Sequence, residues 1–153
     1  MKILSLLLLT VLLFSCKKEL DPNADYIIFA THSMTCAGEE SMQVFKLSGN
    51  KLYKKEGPGD FLYGYFNGEF QSLNNSKYKK AKKIDNLFPS TLLDEIDWII
   101  GNPRDCLGSG GYRIEYKKGA RHEWYYIDDD LTQVPEYLHL FLNELNTVIQ
   151  DLE

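Results

Sequence analysis

The sequence predicts an α+β fold, an antiparallel sheet of about five strands covered on one face by helices, with a long amphipathic helix at the C-terminus. Three observations carry this prediction. Residues 134–152 repeat apolar side chains at three- and four-residue intervals, Val134, Leu138, Phe141, Leu145, Val148, Ile149 and Leu152, which puts one apolar stripe on a helix. Two segments rich in Tyr, Val, Ile and Phe are each folded back at a Gly-containing turn, as in β-hairpins. Between them, residues 76–88 change from period two to helical spacing, with Tyr78, Ala81, Ile84 and Phe88 on one face.

Taken in order, residues 26–30, Tyr-Ile-Ile-Phe-Ala, form a continuous apolar run of β-formers and read as a central strand buried on both faces. Residues 42–47 and 51–55 flank Ser48-Gly49-Asn50. A three-residue loop there pairs Phe45 with Tyr53 and a two-residue loop pairs Leu47 with Leu52, so both registers stand. Gly57-Pro58-Gly59-Asp60 breaks the chain before residues 61–73, which read as one irregular strand interrupted by Gly64 and Gly68. After the helix at 76–88, Pro89-Ser90 interrupts, and Leu92, Leu93 and Ile96 mark a second short helix before Gly101-Asn102-Pro103. The hairpin at 111–128 is expected to close with the three-residue loop Lys117-Lys118-Gly119. That register sets Glu115 opposite Arg121, Ile114 opposite His122 and Tyr112 opposite Trp124, leaving an apolar face and a charge-paired face. Pro135 suits the first turn of the final helix.

The first sixteen residues, MKILSLLLLTVLLFSC, place one Lys before an apolar run that ends at Ser15-Cys16. At ~1.5 Å per residue the run from Ile3 to Phe14 spans about 18 Å, short of the roughly 30 Å hydrocarbon core, so it reads as a secretion signal. Leu13-Phe14-Ser15-Cys16 resembles the lipobox of a bacterial lipoprotein precursor. The resemblance implies a signal peptide over residues 1–15, a lipidated Cys16 carrying acyl chains such as palmitate, and a tether over 16–24 ahead of a single domain at 25–153. Several acyl chains on one residue anchor stably where a single chain holds marginally. Lys17 stands where an Asp signals inner-membrane retention in enteric lipoproteins, which favours the outer membrane, with its periplasmic and cell-surface sides both open. Cys16-Lys17-Lys18-Glu19, Cys36-Ala37-Gly38-Glu39 and Gly111-Tyr112-Arg113-Ile114-Glu115-Tyr116 resemble small Bacteroidota lipoproteins, whose families carry no activity to transfer.

Composition narrows the function classes. Loss of residues 1–15 takes the basic side chains from 17 to 16 and leaves 22 acidic ones, a net charge of −6 that argues against a nucleic-acid partner. Once Cys16 carries lipid, Cys36 and Cys106 remain in an oxidising compartment and read as one disulfide. Closing a loop of about 70 residues stabilises a fold by roughly 4 kcal/mol in the chain-entropy view.

Few constellations suggest chemistry. His32 and Cys36 stand four apart, and the enzymatic reading is a small hydrolase or redox protein using Cys36 with His32 or His122. No further ligands stand at metal spacing, and no cofactor is implied. His122 is expected on the apolar face of its hairpin beside Trp124, and His139 off the stripe of the last helix. Asp128-Asp129-Asp130 reads as a turn before a helix, without the calcium-loop pattern, and Gly108-Ser109-Gly110-Gly111 as a flexible connector. Lys77, Lys79, Lys80, Lys82 and Lys83 form the densest charge cluster, a solvated helix face that also suits anionic headgroups or lipopolysaccharide phosphates. The leading expectation is a lipid-anchored, non-enzymatic binding or interaction domain of the cell envelope. An inhibitor or immunity lipoprotein against a toxin or hydrolase is the alternative within that class.

Overall fold

The computed structural model describes residues 25–34, 40–56, 64–66, 68–102 and 110–153. Strands β1 (Tyr26–Met34), β2 (Glu40–Ser48), β3 (Lys51–Lys55) and β4 (Phe70–Ser72) precede helix α1 (Asn75–Leu87) and a 3-10 turn at Ser90–Asp94. Strands β5 (Ile99–Ile100), β6 (Gly110–Lys118) and β7 (Arg121–Asp128) and helix α2 (Glu136–Leu152) follow. The fold is α+β. Its single sheet runs β4-β3-β2-β1-β6-β7-β5 and is antiparallel except for the parallel pair β5 and β7.

The sheet is therefore wider than the antiparallel one of about five strands that the periodicity predicts. Both additions are short edge strands. β4 spans three residues and β5 two, too few to show an alternation, and β5 is tied on by the Tyr126 amide donating to the Trp98 carbonyl at 2.8 Å. The 26–30 run is central, as expected, because β1 lies between β2 and β6, and all of it but the partly buried Tyr26 is buried.

Both helices cover one face. Residues with odd numbers on β1 and β2 and even numbers on β6, such as Phe29, Phe45 and Ile114, meet Ala81 and Ile84 of α1 and the α2 stripe in one continuous core. All seven residues of the predicted C-terminal stripe are buried there. Asn74 caps α1 by accepting the Lys77 amide at 3.0 Å, and Pro89 lies just beyond its end.

The two hairpins settle their registers differently. β2 and β3 use the two-residue alternative, with Leu47 opposite Leu52 and Gly49 at φ 57°. β6 and β7 overturn the three-residue expectation. Lys118 pairs with Arg121 around Gly119-Ala120, and Gly119, at φ 57°, takes the first turn position, where both primed hairpin turns need positive φ. Glu115 consequently faces Trp124, Lys117 faces His122, and Ile114 faces Tyr125. His122 and Trp124 lie on the sheet face away from the helices.

One further expectation changes. Gly110 and Gly111 belong to β6 and are not a connector. A Cβ on Gly110 would stand 2.6 Å from the His32 carbonyl oxygen, and one on Gly111 2.8 Å from that of Ile127, so these positions need glycine to let the strands close.

Candidate functional site

Among the described residues, the face opposite the helices carries a small apolar cluster, Ile28, Ala30 and Val44, with Tyr26, Met42, Phe66 and Phe70 packed on it. Ionisable and aromatic groups fill the rest. Glu115 is fully buried among them. Its Oε1 accepts the Tyr26 hydroxyl at 2.5 Å and faces His122 Nε2 at 2.9 Å, while its Oε2 accepts the Phe66 amide at 2.6 Å. A carboxylate can only accept, so the ring proton sits on Nε2. Burial, then the bond to Glu115, raises the Tyr26 hydroxyl well above the usual tyrosine range.

This network fixes an aromatic strip along β7. The Tyr65 ring stacks on His122 at 3.8 Å between centroids, and its hydroxyl donates to the His122 carbonyl at 3.0 Å. Two residues further along the same face, Trp124 meets Trp98 at 4.4 Å. Beneath Trp124 lies the buried Arg113 guanidinium, 4.0 Å from the indole and 5.4 Å from the Phe66 ring, donating through Nη2 to the Gly64 carbonyl. Its Nη1 has no hydrogen-bond partner among the described residues. Burial lowers Arg113 to about 10. Lys46 Nζ caps the Tyr26 ring at 4.0 Å, and burial lowers that amine too.

The outer members of the strip remain open to solvent, with Tyr65 46 % and Trp98 41 % exposed. Glu115 orients His122 without itself reaching solvent. The arrangement offers rigid aromatic surface rather than a reachable acid.

The predicted candidates sort as follows. His32 is buried at the other end of the sheet, its Nδ1 2.7 Å from the Tyr126 hydroxyl. His139 Nε2 faces the Val134 carbonyl one turn back, at 3.2 Å. Asp128 accepts the amides of Asn102 and Asp130, Asp129 that of Gly110, and Asp130 the amide and hydroxyl of Thr132, which hold its pKa down. Asp128 thus ends β7, and Asp129 and Asp130 lead out of it into the turn at residues 131–132. Among the described residues no group of three or more His, Cys, Asp or Glu could hold a metal ion.

The lysine cluster divides. Lys77 donates to the Leu152 carbonyl, Lys80 pairs with Asp151 at 3.7 Å, and Lys83 pairs with Glu144, so these three bind α2, and Lys77 and Lys80 complement its C-terminal end. Lys79 and Lys82 are left facing outward.

Cys16, Cys36 and Cys106 lie outside the described residues.

Sequence reasoning missed Arg113, Glu115, Tyr65 and Trp98. The readable signal was the alternation of His122, Trp124 and Tyr126 on one side of β7, matched by Arg113 and Glu115 on β6. No family model and no curated protein matches the chain. No helix among the described residues is long and apolar enough to cross a membrane.

Proposed function

We propose that the chain is a lipid-anchored lipoprotein of the cell envelope, held through Cys16, that acts as a non-enzymatic binding domain and meets its partner through Tyr65, His122, Trp124 and Trp98. The carrying observation is the exposed aromatic strip pinned from beneath by Glu115 and Arg113. Aromatic rings lose little conformational entropy on binding, and Trp, Tyr and Arg dominate interface hot spots. The lipobox supports the anchor and favours the outer membrane.

A Cys36–Cys106 disulfide is part of this proposal. The β1/β6 register pairs Ser33, three residues before Cys36 in the sequence, with Gly110, four residues after Cys106. Alkylation without reductant should leave both thiols unmodified, and two alkylated cysteines would remove the bridge.

The test of function compares the mature chain with a Tyr65→Ala/Trp98→Ala variant in capture from envelope extracts of the source cell. A partner retained by the parent and lost by the folded variant supports the surface. Equal retention by both would refute it. The anchor is read separately, by loss of lipid label and membrane fractionation in Cys16→Ala.

A further inference from the structure

The end of the sheet where β1 begins differs from the rest of the surface. Tyr26 pairs with both Ser48 and Lys117, so the two tight turns, Gly49-Asn50 and Gly119-Ala120, lie at this same end. Asp25 joins them, its carboxylate accepting the Gly119 amide at 2.8 Å. Between this end and α1 runs a groove of about 230 Å³. Ile27 and Leu47 form its floor, and Tyr78 and Tyr116 contribute its aromatic walls.

Its cationic rim consists of Lys82, Lys117 and Lys118. Lys82 and Lys118 are exposed and have no carboxylate within ion-pair distance among the described residues, in contrast to Lys80 and Lys83, which α2 engages. The rim also carries two carboxylates, Asp25, which accepts the Gly119 amide, and Asp85, so three ammonium groups stand against two acids. A domain of net charge −6 thus presents a locally basic groove at one end. That end is also where the tether enters. From Cys16 to Asp25 is nine residue steps, at most about 30 Å of extended chain.

We propose that this groove seats the phosphate of an anionic lipid headgroup, so that the tether end of the sheet lies against the bilayer. The inference rests on the lipid-anchor reading. The lysine ammonium groups supply point charges for the phosphate, and the tyrosine rings and apolar floor accept the adjoining glycerol and upper acyl carbons. Each lysine near an anionic surface contributes about fivefold to partitioning, with a range set by the Debye length of about 8 Å at physiological salt. The docked orientation leaves the strip on β7 directed along the membrane plane and accessible from the side.

The test uses the whole mature chain with Cys16→Ser, which binds without help from acyl chains. It is sedimented with vesicles of phosphatidylcholine alone or with one-third phosphatidylglycerol. Partition should require phosphatidylglycerol and weaken with salt. Lys82→Ser and Lys118→Ser should each lower it about fivefold. Lys80→Ser removes the same charge from a side chain paired to Asp151 and should change it by less than about twofold. Absence of binding, equal binding to both vesicle types, or an equal loss in Lys80→Ser would overturn the proposal. Saturable binding of inorganic phosphate in the groove without vesicle binding would overturn it in favour of a free anion. If the anchor reading fails, the failure shows in cells as unchanged fractionation of Cys16→Ala and leaves the vesicle result standing.

Discussion

The two faces of the sheet are buried by different means. On the helix side, Phe29, Phe45, Ile114 and Phe141 exclude water with apolar surface alone. On the other, the fully buried Glu115 is held by three donors, and Arg113 lies between Trp124 and Phe66. Apolar burial is non-directional and tolerates repacking, whereas a buried carboxylate requires its partners at fixed distances. The first face holds the fold together. The second holds particular side chains in place, which is what a binding surface requires.

The largest expected effect lies on the helix side. Phe141 is 1 % exposed and meets Phe88 edge-on at 5.8 Å, so Phe141→Ala should cost about 3–5 kcal/mol in urea unfolding. A cost below about 1 kcal/mol would mean that α2 is not the main cover of the sheet.

The polar face should respond less in stability and more in local order. Glu115→Gln keeps the shape but sets an amide donor against the Tyr26 hydroxyl, His122 Nε2 or the Phe66 amide, at a cost of about 1–3 kcal/mol. Amide exchange should speed up at Phe66 and stay unchanged at Phe29. Equal acceleration at both would erase the distinction between the faces.

That distinction explains what could be read from the sequence. The C-terminal stripe, α1 and the central strand follow from apolar periodicity, because on the helix side burial and hydrophobicity coincide. The β6–β7 register does not follow from the same rule. Assigning charged residues to water favours pairing Ile114 with His122, whereas Glu115 and Arg113 are in fact buried under residues 64–66. Only tertiary contacts 49 residues apart reveal that cover. Tyr65 and Trp98 escaped for a related reason, since neither belongs to a strand or helix and each is placed by a partner on β7. The lysine cluster was legible as charge, but its division between α2 and the groove depends on helix packing.

A third test asks whether both faces are dry. Burial raises Tyr125, on the helix side, from 10.0 to about 12, and raises Tyr26, on the polar side, for the same leading reason. Well below pH 10 neither tyrosine ionises in the folded or the unfolded chain, so their contribution is fully present. Above pH 10 the unfolded chain loses these protons first, and stability should fall as pH rises toward about 12. Urea midpoints measured from pH 9 upward in Tyr125→Phe and Tyr26→Phe should each show a shallower decline than the parent. A shallower decline in Tyr125→Phe alone would show that water reaches the Tyr26–Glu115 pair.

The smallest effect belongs to the surface that joins α1 to α2. Lys83 pairs with Glu144 while 43 % of its side chain remains exposed, so solvent and salt screen most of the attraction. Lys83→Ala should cost about 0.2–1 kcal/mol, less at high salt, and leave the unfolding cooperative. A larger cost would mean that the contact between the helices depends on charge rather than on Ala81, Ile84, Leu145 and Val148 beneath it. The helix side would then share the directional character that separates the polar face from it.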